Sequence, residues 1–263
     1  MNALEQELYR IFPFCNIDIR KPFFGCLKLD SPELRIMSKN FVFTIVGDIK
    51  QPFERQPKMQ SEEMRLFEDY ESQRLLGNSF QRSDILYDGF MMQRMLGEML
   101  PSGETGQEHV HIIFTNRLVC TFSEDDWRYH ARALICGTPS IVSTTGIVEA
   151  PARSLAYYLE YARISNQSMN VEKDLHEEFS KQFIGYEDDR ITGAAIGYTL
   201  QAIVYFLSAG EPFCDSLNCR LFNAHWQSEL ILTQIERPAI CTRHMEIISA
   251  FNKSLDIEAS RHN

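Results

Sequence analysis

Residues 191–210, ITGAAIGYTLQAIVYFLSAG, carry no charged side chain over twenty consecutive positions. A helix of this length could span a lipid bilayer. However, the run contains small and polar residues such as Gly193, Gly197 and Gln201, and acidic residues rather than basic clusters flank it. A helix that is apolar around its whole circumference also suits the space between a sheet and other helices, so we predict a buried helix over 190–209 and not a membrane span.

The composition is that of a soluble globular protein. Hydrophobic residues make up 44% of the chain and charged residues 24%, which excludes a disordered chain, a collagen-like repeat and a coiled coil. The formal net charge of −10 argues against nucleic acid and against an anionic membrane surface as partners. The length of 263 residues fits a single domain over 1–263, and it leaves the oligomeric state open.

Periodicity predicts strands mainly in the first half of the chain and helices in the second. Short apolar runs predict strands over 16–20, 41–46, 111–114, 118–122, 133–136 and 140–143. Helical spacing predicts helices over about 61–76, from a cap at Ser83 and Asp84 to Pro101, and over 152–164, 171–184, 189–209, 223–235 and 241–254. The polar stretch 50–82 is predicted to be an exposed insertion. The fold class that follows is α/β of the α+β type, with a mixed β-sheet packed with helices.

The cysteines indicate the compartment and a metal. Their number, seven, is odd, and Met1–Arg10 lacks the features of a secretory signal. We therefore expect reduced thiols in a cytoplasmic protein, with some of the thiols holding a metal.

Two pairs of metal-ligand residues lie near the C-terminus. Cys214 and Cys219 form a C-x4-C pair, and Cys241 and His244 form a C-x2-H pair that begins 21 residues later. Thiolate and imidazole ligands in two close pairs are what a tetrahedral structural zinc site requires, and they suit zinc or iron–sulfur better than calcium or magnesium. We predict one structural zinc ion per chain, in a helical C-terminal subdomain over 211–263.

Two alternatives stay open for this motif. His225 lies six residues after Cys219 and is an alternative ligand. The second alternative is a helical segment in which the thiols are incidental. A zinc site requires the four ligand side chains to meet at one point, whereas incidental thiols do not.

The stretch 130–153 combines glycines, prolines and a Ser/Thr run. One interpretation is a loop that faces a substrate or a partner, and its candidate contact residues are Ser143, Thr144, Thr145, Glu149 and Arg153. The other is a pair of edge strands joined by turns. The run has no G-x-S-x-G frame, so a hydrolase nucleophile elbow is not supported and no catalytic residue is assigned.

Three histidines lie in or beside predicted strands of the central region. His109 and His111 are two residues apart and would point to the same face of a strand, where two imidazoles can share a metal. His130 lies beside another predicted strand. Spacing alone places no third ligand with them, so surface or structural roles are the simpler interpretation.

The C-terminal spacing resembles that of archaemetzincins, which are small zinc-dependent peptidases with the pattern HExxHxxGxxHC-x4-C-x-M followed by CxxC. Cys214-x4-Cys219-Arg220-Leu221 resembles the C-x4-C-x-M portion, and His244 stands where the last cysteine of the family would be. Gly210 falls at the position of the family's glycine. The upstream order of elements is similar too, so the resemblance covers most of the chain, with an insertion near 50–82. It implies a metzincin-like (zincin-like) fold and an archaeal source.

The same alignment places apolar residues where the family has its catalytic chemistry. Ile203, Leu207 and Phe213 occupy the positions of the three histidines, and Val204 occupies that of the general-base glutamate. Ile203 and Leu207 keep the spacing of one helical turn but cannot ligate zinc, and Val204 cannot accept a proton. The resemblance therefore implies a catalytically degenerate relative that keeps only the structural zinc.

Two functions follow from these observations. The first is a non-catalytic, metzincin-like protein with one structural zinc that binds a peptide or protein partner. The second is an active zinc-dependent hydrolase or peptidase with non-standard ligands. These would come from the central strands, with His109, His111 and His130 as candidates, or from His225. One zinc ion per chain favours the first, and two favour the second.

Overall fold

The computed structural model describes residues 3–20, 24–25, 28, 30–50, 61–77, 85–106, 108–165, 171, 175 and 179–261. The chain forms two compact units, a continuous unit (Asp18–Thr145) and a discontinuous unit that combines Met1–Ile17 with Gly146–Asn263. The single domain over 1–263 and the exposed insertion over 50–82 stay predictions. Of that insertion, residues 51–60 and 78–82 lie outside the described residues, as do the predicted cap residues Ser83 and Asp84.

The elements alternate between helices and short strands. The helices are α1 (Ala3–Ile11), α2 (Pro32–Phe43), α3 (Ser61–Leu75), α4 (Gly89–Gly97), α5 (Thr144–Glu149), α6 (Leu155–Ile164), α7 (Arg190–Leu207), α8 (Gln227–Ile231) and α9 (Thr242–Arg261), with a 3-10 turn at Ser102–Glu104 and a π-helix at Leu232–Glu236. The strands are β1 (Leu86–Asp88), β2 (Ile112–Thr115), β3 (Leu118–Ser123), β4 (Arg128–Arg132), β5 (Leu134–Ile135) and β6 (Ser140–Ser143). Of the helix predicted over 171–184, residues 172–174 and 176–178 lie outside the described part of the chain.

The strands belong to the continuous unit and form two three-stranded sheets, with the orders β1-β3-β4 and β2-β6-β5. In the first sheet β1 is parallel to β3 and pairs Tyr87 with Val119, and β4 is antiparallel to β3. In the second sheet β2 is parallel to β6 and pairs Ile113 with Ile141, and β5 is antiparallel to β6. The predicted fold class is confirmed, because small mixed sheets pack with helices. Strands β1 and β4 were not predicted. The helix predicted from Ser83 and Asp84 to Pro101 is wrong at its start, because β1 lies there and α4 begins only at Gly89, after a cap by Asp88.

Two predicted strands are wrong. The stretch 16–20 forms no strand, and the first half of 41–46 is the C-terminal end of α2, which ends at Phe43. The Ser31 side chain caps α2 by accepting a hydrogen bond from a backbone N–H three residues later, at 3.1 Å. This start signal sets a helical period, so Phe41 and Val42 are the buried face of a helix end and not a strand.

Helix α3 lies where a surface helix was predicted, but it carries a buried charge. Glu71 of α3 is fully buried, and it accepts hydrogen bonds from the guanidinium of Arg117 and from the hydroxyl of Tyr87. The Arg117 guanidinium also lies 3.9 Å from the centre of the Phe41 ring. Burial raises the pKa of Tyr87, which keeps its hydroxyl protonated as a donor. This ion pair joins α3 to the turn between β2 and β3.

Helix α7 is the central helix of the discontinuous unit, as predicted from its uncharged sequence. Ile196, Leu200 and Val204 are buried, and Thr192 is the one exposed residue of the helix. Beyond the end of α7, Gly210 has a φ of 106°, a value that favours glycine. Among the described residues, no helix is long and apolar enough to cross a membrane.

The two glycines inside α7 allow the π-helix to approach closely. A Cβ added at Gly197 would lie 2.0 Å from Gln234 Oε1, and one added at Gly193 would lie 2.7 Å from Ile235 Cδ1. Gln234 is buried, and its amide has no hydrogen-bond partner among the described residues. The spacing of four residues between the glycines therefore serves helix packing within the protein.

We expect Gly197→Ala to lower the free energy of unfolding by about 1–3 kcal/mol, because the added methyl group overpacks the crossing of α7 and the π-helix. Urea denaturation of the variant measures the loss. Gly103→Ala is the control, since a Cβ there meets nothing within 4 Å. The double variant Gly197→Ala, Gln234→Ala should recover stability, and failure to recover would show that the contact with Gln234 is not the cause.

Within the discontinuous unit, polar contacts join helix α1 to residues far along the chain. Arg220 donates hydrogen bonds to Glu7 and to the carbonyl of Gly193, each at 3.1 Å. Asn252 donates to the carbonyl of Ile11 at 2.8 Å. Arg220 is buried, so these hydrogen bonds compensate for the loss of water around its charge.

Candidate metal centre

The four C-terminal ligand residues converge on one point. The ligand atoms of Cys214, Cys219, Cys241 and His244, called the Cys3His cluster below, all lie within 4.8 Å of one another. The Cys214 and Cys241 sulfurs are 3.9 Å apart, and His244 Nδ1 lies 3.6 Å from the Cys219 sulfur and 3.1 Å from the Cys241 sulfur. This cluster could hold one metal ion.

The C-x4-C segment closes on itself and thereby brings its two sulfurs together. Cys214 N–H donates to the carbonyl of Leu221 at 2.8 Å, and Cys219 N–H donates to that of Ser216 at 3.0 Å. The N–H of Ser216 points to the Cys214 sulfur at 3.5 Å. This contact fixes the direction of the Cys214 side chain toward the other ligands.

The C-x2-H segment lies at the start of α9. Cys241 immediately precedes α9 and His244 lies in its first turn, so both side chains are presented from one helix end. The N–H of Cys241 points to the Cys219 sulfur at 3.5 Å and so links the two segments. The positive end of the helix dipole also favours a thiolate at Cys241.

The protonation chemistry of the cluster fits a metal. Burial raises the pKa of Cys219 to about 12, so a thiolate there needs a nearby cation. Burial opposes the thiolate of Cys241 too, but hydrogen bonds from the backbone of His244 and from the neighbouring thiols outweigh it and lower the pKa of Cys241. Burial and the adjacent Arg243 lower the pKa of His244, which keeps its imidazole in the neutral form that ligates metals.

The donor set also indicates which metal fits. Three sulfurs and one imidazole nitrogen match the ligands of structural zinc sites and do not match those of calcium or magnesium. The second ring nitrogen of His244, Nε2, is buried and has no hydrogen-bond partner among the described residues. Nδ1 is therefore the nitrogen available to a metal in this arrangement.

The structure does not bring His225 into the cluster. Its side chain is exposed, and its backbone N–H donates to the Glu229 carboxylate at 2.8 Å as part of the start of α8. Its carbonyl accepts a hydrogen bond from Ala152 at 2.8 Å. Through these backbone hydrogen bonds, His225 stabilises the segment before α8.

The hydroxyl groups of the predicted substrate loop point into the fold. Ser143 donates to the carbonyl of Arg117 at 2.7 Å. Thr144 donates to the carbonyl of Thr115 at 3.2 Å, and Thr145 donates to that of Asn116 at 2.6 Å. Three consecutive hydroxyls thus hold the turn between β2 and β3, and Ser143 is fully buried.

Glu149 and Arg153 of the same predicted loop contact each other and a group of aromatic residues. Their charged groups are 3.8 Å apart, and Tyr186 donates a hydrogen bond to Glu149 at 2.7 Å. The guanidinium of Arg153 lies 4.8 Å from the ring centre of Tyr157 and 4.9 Å from that of Phe183. Both side chains keep a part of their charged groups at the surface.

The central histidines make local contacts. His111 Nε2 lies 2.8 Å from the carbonyl of Glu104, and the rings of His109 and His111 stack 6.1 Å apart. His130 Nε2 lies 2.8 Å from Asp126 Oδ1. Over the described ranges, the Cys3His cluster is the one grouping of three or more His, Cys, Asp or Glu side chains that could hold a metal ion.

The apolar residues at the C-terminal end of α7 pack in a hydrophobic cluster of the discontinuous unit. Ile203 and Leu207 contact this cluster, and Val204 is a fully buried member of it. Phe213 is 37% exposed. The same cluster contains two of the metal ligands, so this face of α7 supports the Cys3His site.

Sequence reasoning identified all four residues of the cluster but not the buried arginine that supports them. Arg220 follows Cys219 directly and reaches Glu7, 213 residues away. The sequence shows Arg220 only as a basic residue within an apolar ligand segment, and this does not reveal that Glu7 is its partner.

Comparison with known proteins adds the family. A family model described as "Probable metallopeptidase family (DUF6775)" matches residues 1–251. No curated protein and no solved structure matches the chain.

Proposed function

The chain belongs to this probable metallopeptidase family, and we propose that it is a non-catalytic, metzincin-like member whose Cys3His cluster holds one structural zinc ion. The observation that carries the proposal is the convergence of three thiols and one imidazole, largely buried, within 4.8 Å. Such a donor set is typical of closed structural sites, in which protein side chains occupy every position around the metal. Zinc bound there contributes to folding and leaves no open position for a substrate.

The residues of α7 support the absence of peptidase activity. A zinc peptidase needs ligands for a metal that activates water and a carboxylate that takes the proton. At the positions of these groups in an archaemetzincin, this chain has Ile203, Val204, Leu207 and Phe213. The nearest acid, Glu211, is exposed and paired with Arg243 at 2.7 Å.

An active zinc-dependent hydrolase or peptidase is the second candidate, and the description of the family favours it. Its ligands would come from the central strands, with His111 or His130 as candidates. Such an enzyme needs a second zinc ion in addition to the one in the Cys3His cluster.

We expect one zinc ion per chain, measured by elemental analysis of the purified full chain, and no cleavage of a mixed peptide library in the presence of added zinc. The physical reason is that, in the part of the chain that the structure describes, the Cys3His cluster is the one grouping of side chains that supplies four suitable ligands. The control is the double variant His111→Ala, His130→Ala. Two zinc ions per chain, with peptide cleavage that disappears in this variant, would establish the second candidate instead.

Peptides or proteins are the partner class that we propose, since a degenerate peptidase can retain binding without turnover. Glu149 and Arg153 are the loop residues with surface-accessible charges that could contact such a partner. Mass spectrometry of library peptides retained by the zinc-loaded chain tests this proposal, with Arg153→Ala expected to reduce retention. We further propose a cytoplasmic location, which agrees with free thiols at the metal site.

A further inference from the structure

The three sulfurs of the Cys3His cluster differ in exposure. Cys219 is fully buried and Cys214 is 6% exposed, whereas Cys241 is half-buried at the start of α9. A small reagent from solution therefore reaches Cys241 more easily than its two neighbours. The Cys214 sulfur lies 3.9 Å from that of Cys241, so a second thiol is adjacent to the one that the reagent reaches first.

The other described cysteines are less reactive. Burial raises the pKa of Cys120, and it raises that of Cys136 to about 12 and also that of Cys15. These thiols stay protonated, and the thiolate is the form that reacts with oxidants. Sulfurs that bind a metal are, in contrast, deprotonated.

We propose that Cys241 and Cys214 are a peroxide-sensitive pair, whose oxidation to a disulfide releases the metal from the Cys3His cluster. The inference rests on the proposed structural zinc site and adds its regulation. Cys241 is the residue that reacts first with the peroxide, and Cys214 is the residue that resolves the product. Cys219 is shielded by burial.

The reaction balances with hydrogen peroxide as the oxidant. The Cys241 thiolate attacks one peroxide oxygen, the O–O bond breaks, and Cys241 becomes a sulfenic acid while the other oxygen leaves as water after taking a proton. The Cys214 thiolate then attacks the Cys241 sulfur, forms the S–S bond and expels hydroxide, which takes a second proton. Two thiolates, one peroxide and two protons thus give one disulfide and two water molecules.

Formation of the bond needs only a local movement. The two sulfurs must approach by about 2 Å from their present separation to reach disulfide length, which side-chain rotation at a helix start can provide. The disulfide removes two of the four metal ligands, and Cys219 and His244 alone cannot complete a tetrahedral site. A dithiol reductant restores both thiols and the site.

The test treats the zinc-loaded full chain with one equivalent of hydrogen peroxide. We expect one equivalent of zinc to appear on a chromogenic chelator, a mass decrease of about 2 Da, and a Cys214–Cys241 cross-link in a peptide map. Dithiothreitol should reverse the mass change and restore zinc uptake. A map that joins Cys219 to either partner, or zinc retained after oxidation of other thiols, would overturn the proposal.

Variants separate the roles of the individual thiols. Cys15→Ser and Cys136→Ser should release zinc as the unchanged chain does. Cys214→Ser should form no disulfide at Cys241 and should instead accumulate a sulfenic acid that dimedone traps. If Cys214→Ser does not fold, the peptide map of the unchanged chain still decides the pairing.

The same samples separate this proposal from the proposed function. A chain that binds no zinc contradicts the structural zinc site, yet peroxide treatment of that metal-free chain still shows whether Cys214 and Cys241 pair. A chain that binds zinc but forms no such disulfide contradicts only the redox pair.

Discussion

The variant Cys219→Ser is expected to lose stoichiometric zinc binding and to melt at least about 10 °C below the unchanged chain. Structural zinc sites have apparent binding free energies of about 10–16 kcal/mol, which is as large as the whole stability of a typical domain at about 5–15 kcal/mol. For a chain of this size, each kcal/mol lost lowers the thermal midpoint by about 2–4 °C, so a loss of about 5 kcal/mol gives this shift. Circular dichroism and elemental analysis of the same sample measure the two effects.

Cys15→Ser is the matched control, because Cys15 is a half-buried thiol of the same unit that lies outside the cluster. It should retain one zinc ion, and its midpoint should change much less. A chelator added to the unchanged chain should reproduce the effect of Cys219→Ser. Equal midpoints with and without chelator would show that the fold does not depend on the metal.

The second large effect is expected in the continuous unit, where Arg117→Met should destabilise the fold by about 3–5 kcal/mol. Arg117 is the charged partner of Glu71, and both side chains are buried. Removing the guanidinium leaves a buried carboxylate that keeps the hydrogen bond from Tyr87 but loses its charged partner, which costs more than the ion pair itself contributes. Urea denaturation monitored by tryptophan fluorescence measures the loss, with zinc content as the readout of the other unit.

Arg128→Met is the matched control for this variant. Arg128 pairs with Asp126 at 3.0 Å, but both side chains are largely exposed, so the removal should have no measurable effect. Zinc content should be unchanged in both variants. Equal stabilities of the Arg117 and Arg128 variants would mean that solvent reaches Glu71.

The metal ligands could be predicted from the sequence because their signal is local. Each pair, Cys214 with Cys219 and Cys241 with His244, lies within six residues, so the spacing within a pair already fixes a geometry that suits a metal. The buried helix α7 was predictable for a related reason, since a helix without charged residues over twenty positions suits burial between other elements of a folded protein.

Other features depend on contacts that the sequence does not reveal. The run 41–46 has the composition of a strand, but the helix start at Ser31 places it in α2. The charged sequence of α3 indicates a solvated surface, yet Glu71 is buried because Arg117, 46 residues away, neutralises it. The hydroxyls at 143–145 suggested a binding loop, but they are occupied by carbonyl groups of the turn after β2. The first case depends on a helix start ten residues upstream, and in the other two tertiary contacts override a local preference.

The contact of Arg220 with Glu7 has a consequence for biosynthesis. Helix α1 leaves the ribosome before its partners Arg220 and Asn252, which are made more than two hundred residues later. The segment Asp18–Thr145 can fold while translation continues, since it forms a compact unit by itself. Helix α1 instead keeps its apolar face uncovered until the segments that carry Arg220 and Asn252 emerge, and during that time the face is open to chaperones and proteases.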